Sequence, residues 1–306
     1  MSRYGRSGTL VASGTPGRSG TGHRAGSPGY ASGLTIAIVA GVLLGAAIAA
    51  PWLAPQDPYD LASLRLDHAR LAPLTRDEDG TLHLLGSDDQ GRDMLSAILY
   101  GLRVSLGVAG AGTALALAVG LAAGLGAAWR GGRLEALIMR VVDLQLSFPT
   151  ILVALMLIAA LGQGPDKVII AIAVSQWAYH ARTVRSTAAT ELRRDYIAAA
   201  RGLALPAWRI LIGHLLPNCL APVVVLATAQ MAAAISLEAT LSFLGLGVPV
   251  TRPSLGLLIA NGAQYVFAGQ YWMSLWPGLV LLATIVVIQH TGEQFGRAVA
   301  GGVSRR

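Results

Sequence analysis

The sequence predicts an all-α membrane protein with six transmembrane helices and both termini on the cytoplasmic side. Three observations lead there. Of the 306 residues, 54% are hydrophobic and only 13% charged, with a mean hydropathy of +0.57; soluble domains carry about 25% charged residues. The apolar residues are gathered in runs long enough to cross the hydrocarbon core, which takes about 20 residues of helix. The basic residues are also unevenly shared between the segments joining those runs. With the N-terminus inside, the inner segments hold four Arg before the first run, three at 130–140, six at 182–209 and three after the last run. The remaining seven of the 23 basic residues fall outside, which is the positive-inside bias.

The elements follow in order. Residues 1–32 are rich in Gly, Ser and Arg, carry no acid, and read as a disordered cytoplasmic tail. The apolar run 33–54 is 22 residues long. The apolar part of a cleavable signal peptide has only about 7–15, so this run is read as a retained first span. Residues 55–93 form a polar extracytoplasmic loop, and eight of the sixteen acids lie between Asp57 and Asp89.

The remaining spans belong to a transmembrane domain over 94–293. Met94, Leu95, Ile98, Leu99 and Leu102 form an apolar stripe, read as an interfacial helix that feeds the second span. That span, Val104 to Trp129, has no charge. The third runs from Ala136 to Leu161, with Asp143 near its start and Pro149 predicting a kink. The fourth, Val168 to Ala181, is followed by Arg182 and Arg185, whose long side chains are expected to snorkel from the helix end. The fifth covers Pro217 to Leu241 and the sixth Tyr271 to Gly292, leaving 294–306 as a cytoplasmic tail. Between the last two, the segment 242–270 is apolar yet punctuated by Gly and Pro. It reads as a re-entrant stretch, buried in protein or facing a water-filled cavity.

Several function classes are disfavoured. The single cysteine, Cys219, pairs with none, and no cysteine pair can hold zinc. His180, His214 and His290 are scattered, so no metal site is expected. No phosphate-binding P-loop is present, and the only lysine is Lys167, in an outer loop. No zinc-protease or nucleophile-elbow motif and no paired catalytic acids occur, so the chain does not read as an enzyme. The basic pI of 10.1 is largely the positive-inside signal and leaves no compact basic domain to grip nucleic acid.

The inner loop, about 190–217, is the informative part. From Tyr196 it offers small residues at Ala198, Ala199 and Ala200, then Arg201, Gly202, Leu203 and Leu205, with Pro206 stopping a short helix. A second helix begins at Ala207 and carries Trp208, Ile210, Leu211 and Leu215, and Pro217 marks the start of the next span. Small residues that admit another backbone, flanked by leucine anchors, make a docking surface.

At these residues the chain resembles the inner-membrane permeases of binding-protein-dependent ABC importers. The resemblance lies in Ala199, Ala200, Arg201, Leu203, Arg209, Ile210, His214, Leu216, Pro217 and Asn218. The sequence departs from the pattern at Ala198, where the family has Glu, and at Ala204, where it has Gly. Three further stretches resemble the C-type subunit of dipeptide, oligopeptide and nickel importers. They are 84–106 (LLGSDDQGRDMLSAILYGLRVSL), 141–150 (VVDLQLSFPT) and 238–247 (EATLSFLGLG) followed by Pro253 to Gly256. Trp52 to Pro55 before Asp57 and Pro58 also fits, so the resemblance runs from 35 to 292.

The resemblance implies a type I ABC importer permease fold in the bacterial inner membrane. It implies a heterodimer with a homologous permease subunit, two P-loop ATPases below and an extracytoplasmic substrate-binding protein above. ATP and Mg would be bound by the ATPases, with no cofactor in this chain. Ala199, Ala200, Arg201, Gly202, Leu203, Leu205, Pro206 and Arg209 would form the coupling helix that meets an ATPase, although Arg201 and Arg209 also serve as positive-inside residues. Glu238, Ser242, Phe243, Leu244 and Gly245 are candidates for the outer re-entrant segment and the substrate path. Structural roles compete at two acids: a pairing role for Glu238, and an ion pair to Arg140 or a neighbouring loop for Asp143. Expected cargo is a di- or oligopeptide, with nickel or another small solute as the alternative. An ion-coupled secondary transporter is the rival class, but only Asp143 and Glu238 offer intramembrane acids, both towards span ends.

Overall fold

A computed structural model describes residues 30–60, 65–77, 80–249 and 251–303. The tail expected over 1–32 therefore lies outside the described residues up to residue 29, and its last three residues open the first helix.

Helix α1 (Tyr30–Ile48) breaks at Ala49, and a short α2 (Ala50–Leu53) follows with Pro51 in its first turn. The outer loop then folds into a small lobe with a two-residue hairpin, β1 (Thr75–Arg76) against β2 (Leu82–His83). Helix α3 (Met94–Arg130) starts where Asp93 caps it, its carboxylate accepting from Ser96 N–H at 2.8 Å. It runs unbroken for 37 residues, so the stripe from Met94 to Leu102 is its first turns and not a separate interfacial helix. Met94, Ile98 and Leu102 of that stripe are buried against α1, α10 and α11, and Leu95 and Leu99 are partly buried.

The expected third span is two helices. α4 (Gly132–Leu146) and α5 (Thr150–Leu161) meet at 91°, because Pro149 follows a turn and cannot continue α4. Helix α6 (Pro165–Glu191) is a single rod that carries Arg182 and Arg185 within it. After it come α7 (Asp195–Gly202) and α8 (Ala207–Ile210), then a π-turn over Leu211–Leu215 and α9 (Leu216–Phe243). The axis is continuous from Ala207 to Phe243, so Pro217 does not begin the span: the wider π-turn absorbs the missing N–H ahead of it. Helix α10 (Leu255–Ala263) folds back beside α9, and α11 (Trp272–Val303) completes the chain.

Among the described residues, three helices can cross a membrane by length and composition: α3, the α8–α9 rod, and α11 up to Gly296. The α4–α5 pair qualifies jointly as a bent span. The main core joins Val108 of α3, Ile158 of α5, Ile172 of α6 and Ile235 and Leu241 of α9. Helices α3 and α6 approach closely through Gly112, Gly120 and Gly124, where an added Cβ would strike Ile172, His180 and Val184. Many large apolar side chains face outward, among them Val42, Leu137, Met156 and Leu282, as lipid or a partner subunit requires.

Candidate coupling loop and polar cleft

The inner loop owes its shape to one helix ending. Leu205 N–H donates to Ala200 C=O at 3.2 Å, and Ala204 N–H donates to Arg201 C=O at 2.9 Å. Those two bonds make the Schellman pattern, which closes a helix with a residue in the left-handed region. That residue is Ala204, at φ 51°. Glycine is the usual occupant because it has no Cβ to clash, so the departure from the family pattern at this position has a conformational cost. Pro206 does not stop α7, which ends at Gly202; it stands at the N-cap of α8.

The turn separates the expected coupling residues into two sets. Ala200 is buried with Ile197 and Ile210, and Leu205 packs on that cluster together with Trp129 and Tyr196. Ala199, Arg201, Gly202, Leu203, Pro206 and Arg209 are exposed. Leu203 is 76% exposed and Trp208 60%. Leu203 thus stands clear of the protein, while Leu205 holds the loop to it.

Charges reinforce this mounting. The Arg201 guanidinium lies over the Trp129 ring at 5.4 Å, and that of Arg209 over Trp208 at 5.3 Å. Tyr196 donates its hydroxyl to Glu191 at 2.8 Å; burial, and then that carboxylate, push its pKa up to about 12. Arg185 Nε donates to Glu135 at 2.6 Å, and Arg182 pairs with Asp143. The two arginines of α6 therefore hold α4 instead of snorkelling, and the partner of Asp143 is Arg182, not Arg140.

At the outer end, Glu238 is fully buried and accepts from the Ser242 hydroxyl at 2.7 Å. The hydroxyls of Ser105 on α3 and Ser254 before α10 flank it. This is a knot tying three helices together, so neither Glu238 nor the equally buried Ser242 lines an open path. Phe243, Leu244 and Gly245 are exposed, and Gly245 C=O accepts from Gln163 at 2.9 Å.

Two clefts escape sequence reasoning. One, of about 370 Å³, sets Thr150, Gln176, Tyr179, Gln230, Ser236 and Thr240 among the apolar Ile151, Ala233 and Leu237. Its signal was uncharged polar side chains on otherwise apolar spans, which charge-based searching passes over. Gln176 Nε2 donates to Gln230 C=O at 3.3 Å, while Gln176 Oε1 and Gln230 Nε2 have no partner among the described residues. The other cleft, about 730 Å³, lies at the outer end and contains Tyr59, Tyr100, Arg103 and Arg252. The outer lobe also brings His68 and His83 around Asp77, a grouping hidden by their separation in sequence. The expectation of no metal cluster had considered only His180, His214 and His290.

Comparison with known proteins places the chain. Residues 116–300 match the family described as "Binding-protein-dependent transport system inner membrane component". The chain is 36% identical over 248 residues to the Di/tripeptide transport system permease protein DppC of Pseudomonas aeruginosa, covering 81% of this chain and 80% of that protein. It is 38% identical to a putative peptide transport system permease protein of Brucella suis, covering 82% and 81%. The Nickel transport system permease protein NikC of Escherichia coli is 34% identical, covering 85% and 90%. Among solved structures, an inward-facing MetNI methionine ABC transporter aligns at a TM-score of 0.55 and 21% identity, covering 67% of this chain and 97% of that one, a likeness of fold. This chain is an integral membrane protein of the binding-protein-dependent transport inner-membrane component family, a permease of the dipeptide/oligopeptide/nickel group of ABC importers.

Proposed function

We propose that the chain is the C-type subunit of a bacterial inner-membrane importer for di- and oligopeptides, providing half of the translocation path. The six-span reading takes α1, α3, the bent α4–α5 pair, α6, the α8–α9 rod and α11 as spans, with both termini in the cytoplasm. Partners are a homologous permease, a pair of P-loop ATPases that bind ATP and Mg, and an extracytoplasmic binding protein. The observation that carries this reading is the inner loop. Its apolar inner face is mounted on Trp129, while Leu203 and Ala199 are exposed on the other side, as a surface that receives an ATPase must be. Closure of the ATPases would then move the loop as a rigid body and drive the spans with it.

Two arginines support a peptide cargo. Arg103 and Arg252 put positive charge in the outer cleft beside Tyr59 and Tyr100. That favours the carboxylate of a peptide and disfavours a bare divalent cation. Nickel is the second reading because two relatives are named for it. The polar cleft with unpaired amide groups of Gln176 and Gln230 is the proposed path lining, since peptide N–H and C=O groups need such partners.

The test is a mild pulldown of the chain from native membranes, with partners identified by mass spectrometry. A second permease with P-loop ATPases supports the reading. Recovery of this chain alone, with uptake insensitive to ATP depletion but dependent on an ion gradient, overturns it.

A further inference from the structure

We infer that the outer lobe holds a divalent first-row metal of the zinc type between His68, Asp77 and His83, independently of the transport reading. The three residues come from different pieces of local structure. His68 ends a 3₁₀ turn, Asp77 directly follows β1, and His83 ends β2. The hairpin and the turn close on one another through main-chain bonds. Leu74 N–H donates to His83 C=O at 2.8 Å, and the Ser87 hydroxyl donates to His68 C=O at 2.5 Å.

The spacing of the donor atoms fits a metal. A tetrahedral ion with bonds of about 2.0–2.1 Å has donor atoms about 3.3–3.4 Å apart. His68 Nδ1 stands 3.4 Å from Asp77 Oδ2, and His83 Nε2 stands 3.3 Å from the same oxygen. All three candidate donor atoms lie within 4.8 Å of one another. The set of two imidazoles and one carboxylate suits zinc and its neighbours rather than magnesium or calcium.

The surroundings orient the donors as metal sites require. His83 Nδ1 lies 3.1 Å from Asp93 Oδ1, the carboxylate–histidine arrangement that fixes the tautomer and leaves Nε2 free to bind. The other oxygen of Asp77 accepts from Thr81 N–H at 2.7 Å, which sets the carboxylate's direction. The side chains of Asp77 and His83 are only 5% and 6% exposed. They line a cavity of about 230 Å³, with Gln56, Arg65 and Asp93 also on its wall, that leaves room for a water as fourth ligand. Without a cation, His83 would have to donate to Asp77 and Asp93 at once, and Asp77 Oδ2 would serve two imidazoles. His68 Nε2 is meanwhile buried without a partner among the described residues. A metal resolves the competition at Asp77 Oδ2.

The site would act as a clamp. Asp93 also caps α3, so His83 ties the ion to the first turn of that helix. The test uses the full chain, purified in detergent through a tag free of histidine. It is stripped with a chelator, exposed to Zn²⁺ alone, and freed of excess by gel filtration before elemental analysis. One zinc per chain is expected. Asp77→Asn and His83→Gln are expected to lower retention at least tenfold, and His290→Gln, outside the lobe, to leave it unchanged. Zinc is also expected to slow tryptic cleavage at Arg65, Arg70 and Arg76 in the wild type and not in the two variants. Retention of no zinc by well-folded wild type overturns the assignment. So does equal retention by all four proteins, which would mark adventitious binding.

Discussion

The guanidinium of Arg201 lies 5.4 Å from the centre of the Trp129 ring, joining the inner loop to the last turn of α3. The contact sits on the inward side of α7, whose outer side carries Ala199 and Leu203. It fixes the angle at which the loop is held, and that angle is what a pushing partner would act upon.

Trp129→Leu therefore loosens the loop without unfolding the spans. The lost cation–π contact is worth roughly 0.5–1 kcal/mol at a half-exposed site. Protein yield in the membrane should be unchanged, while uptake per unit ATP hydrolysed falls. Equal coupling ratios in reconstituted wild-type and variant importer would show the contact to be incidental.

Ala204 occupies a position built for glycine. Ala204→Gly should stabilise the α7 ending by up to about 1 kcal/mol, because it removes a Cβ from the left-handed region. Ala204→Val should do the opposite, by more. Hydrogen exchange of the amides over 200–205 reports both: protection rises in the first variant and falls in the second.

Leu203 and Leu205 differ by two positions and should differ in kind. Leu203→Asp alters a residue that is 76% exposed and should leave the protein inserted and folded but unable to couple ATP hydrolysis to uptake. Leu205→Asp places a charge in the cluster of Ile197, Ala200 and Ile210 and should cost several kcal/mol in loop stability. Trypsin cleavage at Arg201 and Arg209 separates the two cases. Normal uptake by Leu203→Asp would remove the docking role.

Asp88 makes the outer lobe sensitive to pH. Burial raises its pKa from 3.8 to about 6, in spite of the Arg92 and Gln90 N–H groups and the Arg92 charge. The folded state therefore binds this proton more tightly than the unfolded chain. The resulting stability is complete below pH 3.8 and is lost as pH rises through about 6. At 1.36 kcal/mol per pH unit the window amounts to about 2–3 kcal/mol. Asp77 acts outside it: burial would raise its pKa, but the Thr81 N–H and His83 outweigh that and hold it below 3.8. Its contribution is lost only at still lower pH. Asp88→Asn should remove the pH 4–6 component, so the thermal midpoint of wild type relative to the variant should drop between pH 4.5 and pH 7.

The helices were legible in the sequence because apolar runs and positive-inside charge are one-dimensional signals. Val104 to Trp129 is one uncharged apolar run, and it lies within α3, a helix long and apolar enough to cross a membrane. The short helix of the inner loop was legible through its small residues at Ala198, Ala199 and Ala200, but not the split between Leu203 and Leu205, which depends on a single left-handed residue. The bend at Pro149 was expected as a kink and is a break of 91°. Contacts that depend on folding in three dimensions were hidden. His68 meets His83 only because a hairpin turns between them, and Arg182 meets Asp143 only because α6 packs along α4. The polar cleft was missed because Gln176 and Gln230, uncharged and far apart in the chain, resemble ordinary interruptions in apolar helices.

Helix α3 has a further consequence. Its 37 residues, at 1.5 Å each, make a strut of about 55 Å with no proline and no break. One end is clamped in the outer lobe through Asp93 and His83, and the other is gripped by the inner loop through Trp129 and Arg201. The outer lobe and the inner loop are thus joined by one stiff member. On the proposed function, a tilt imposed on the outer lobe would reach the inner loop, and a push on the inner loop would reach the outer lobe, without passing through a hinge.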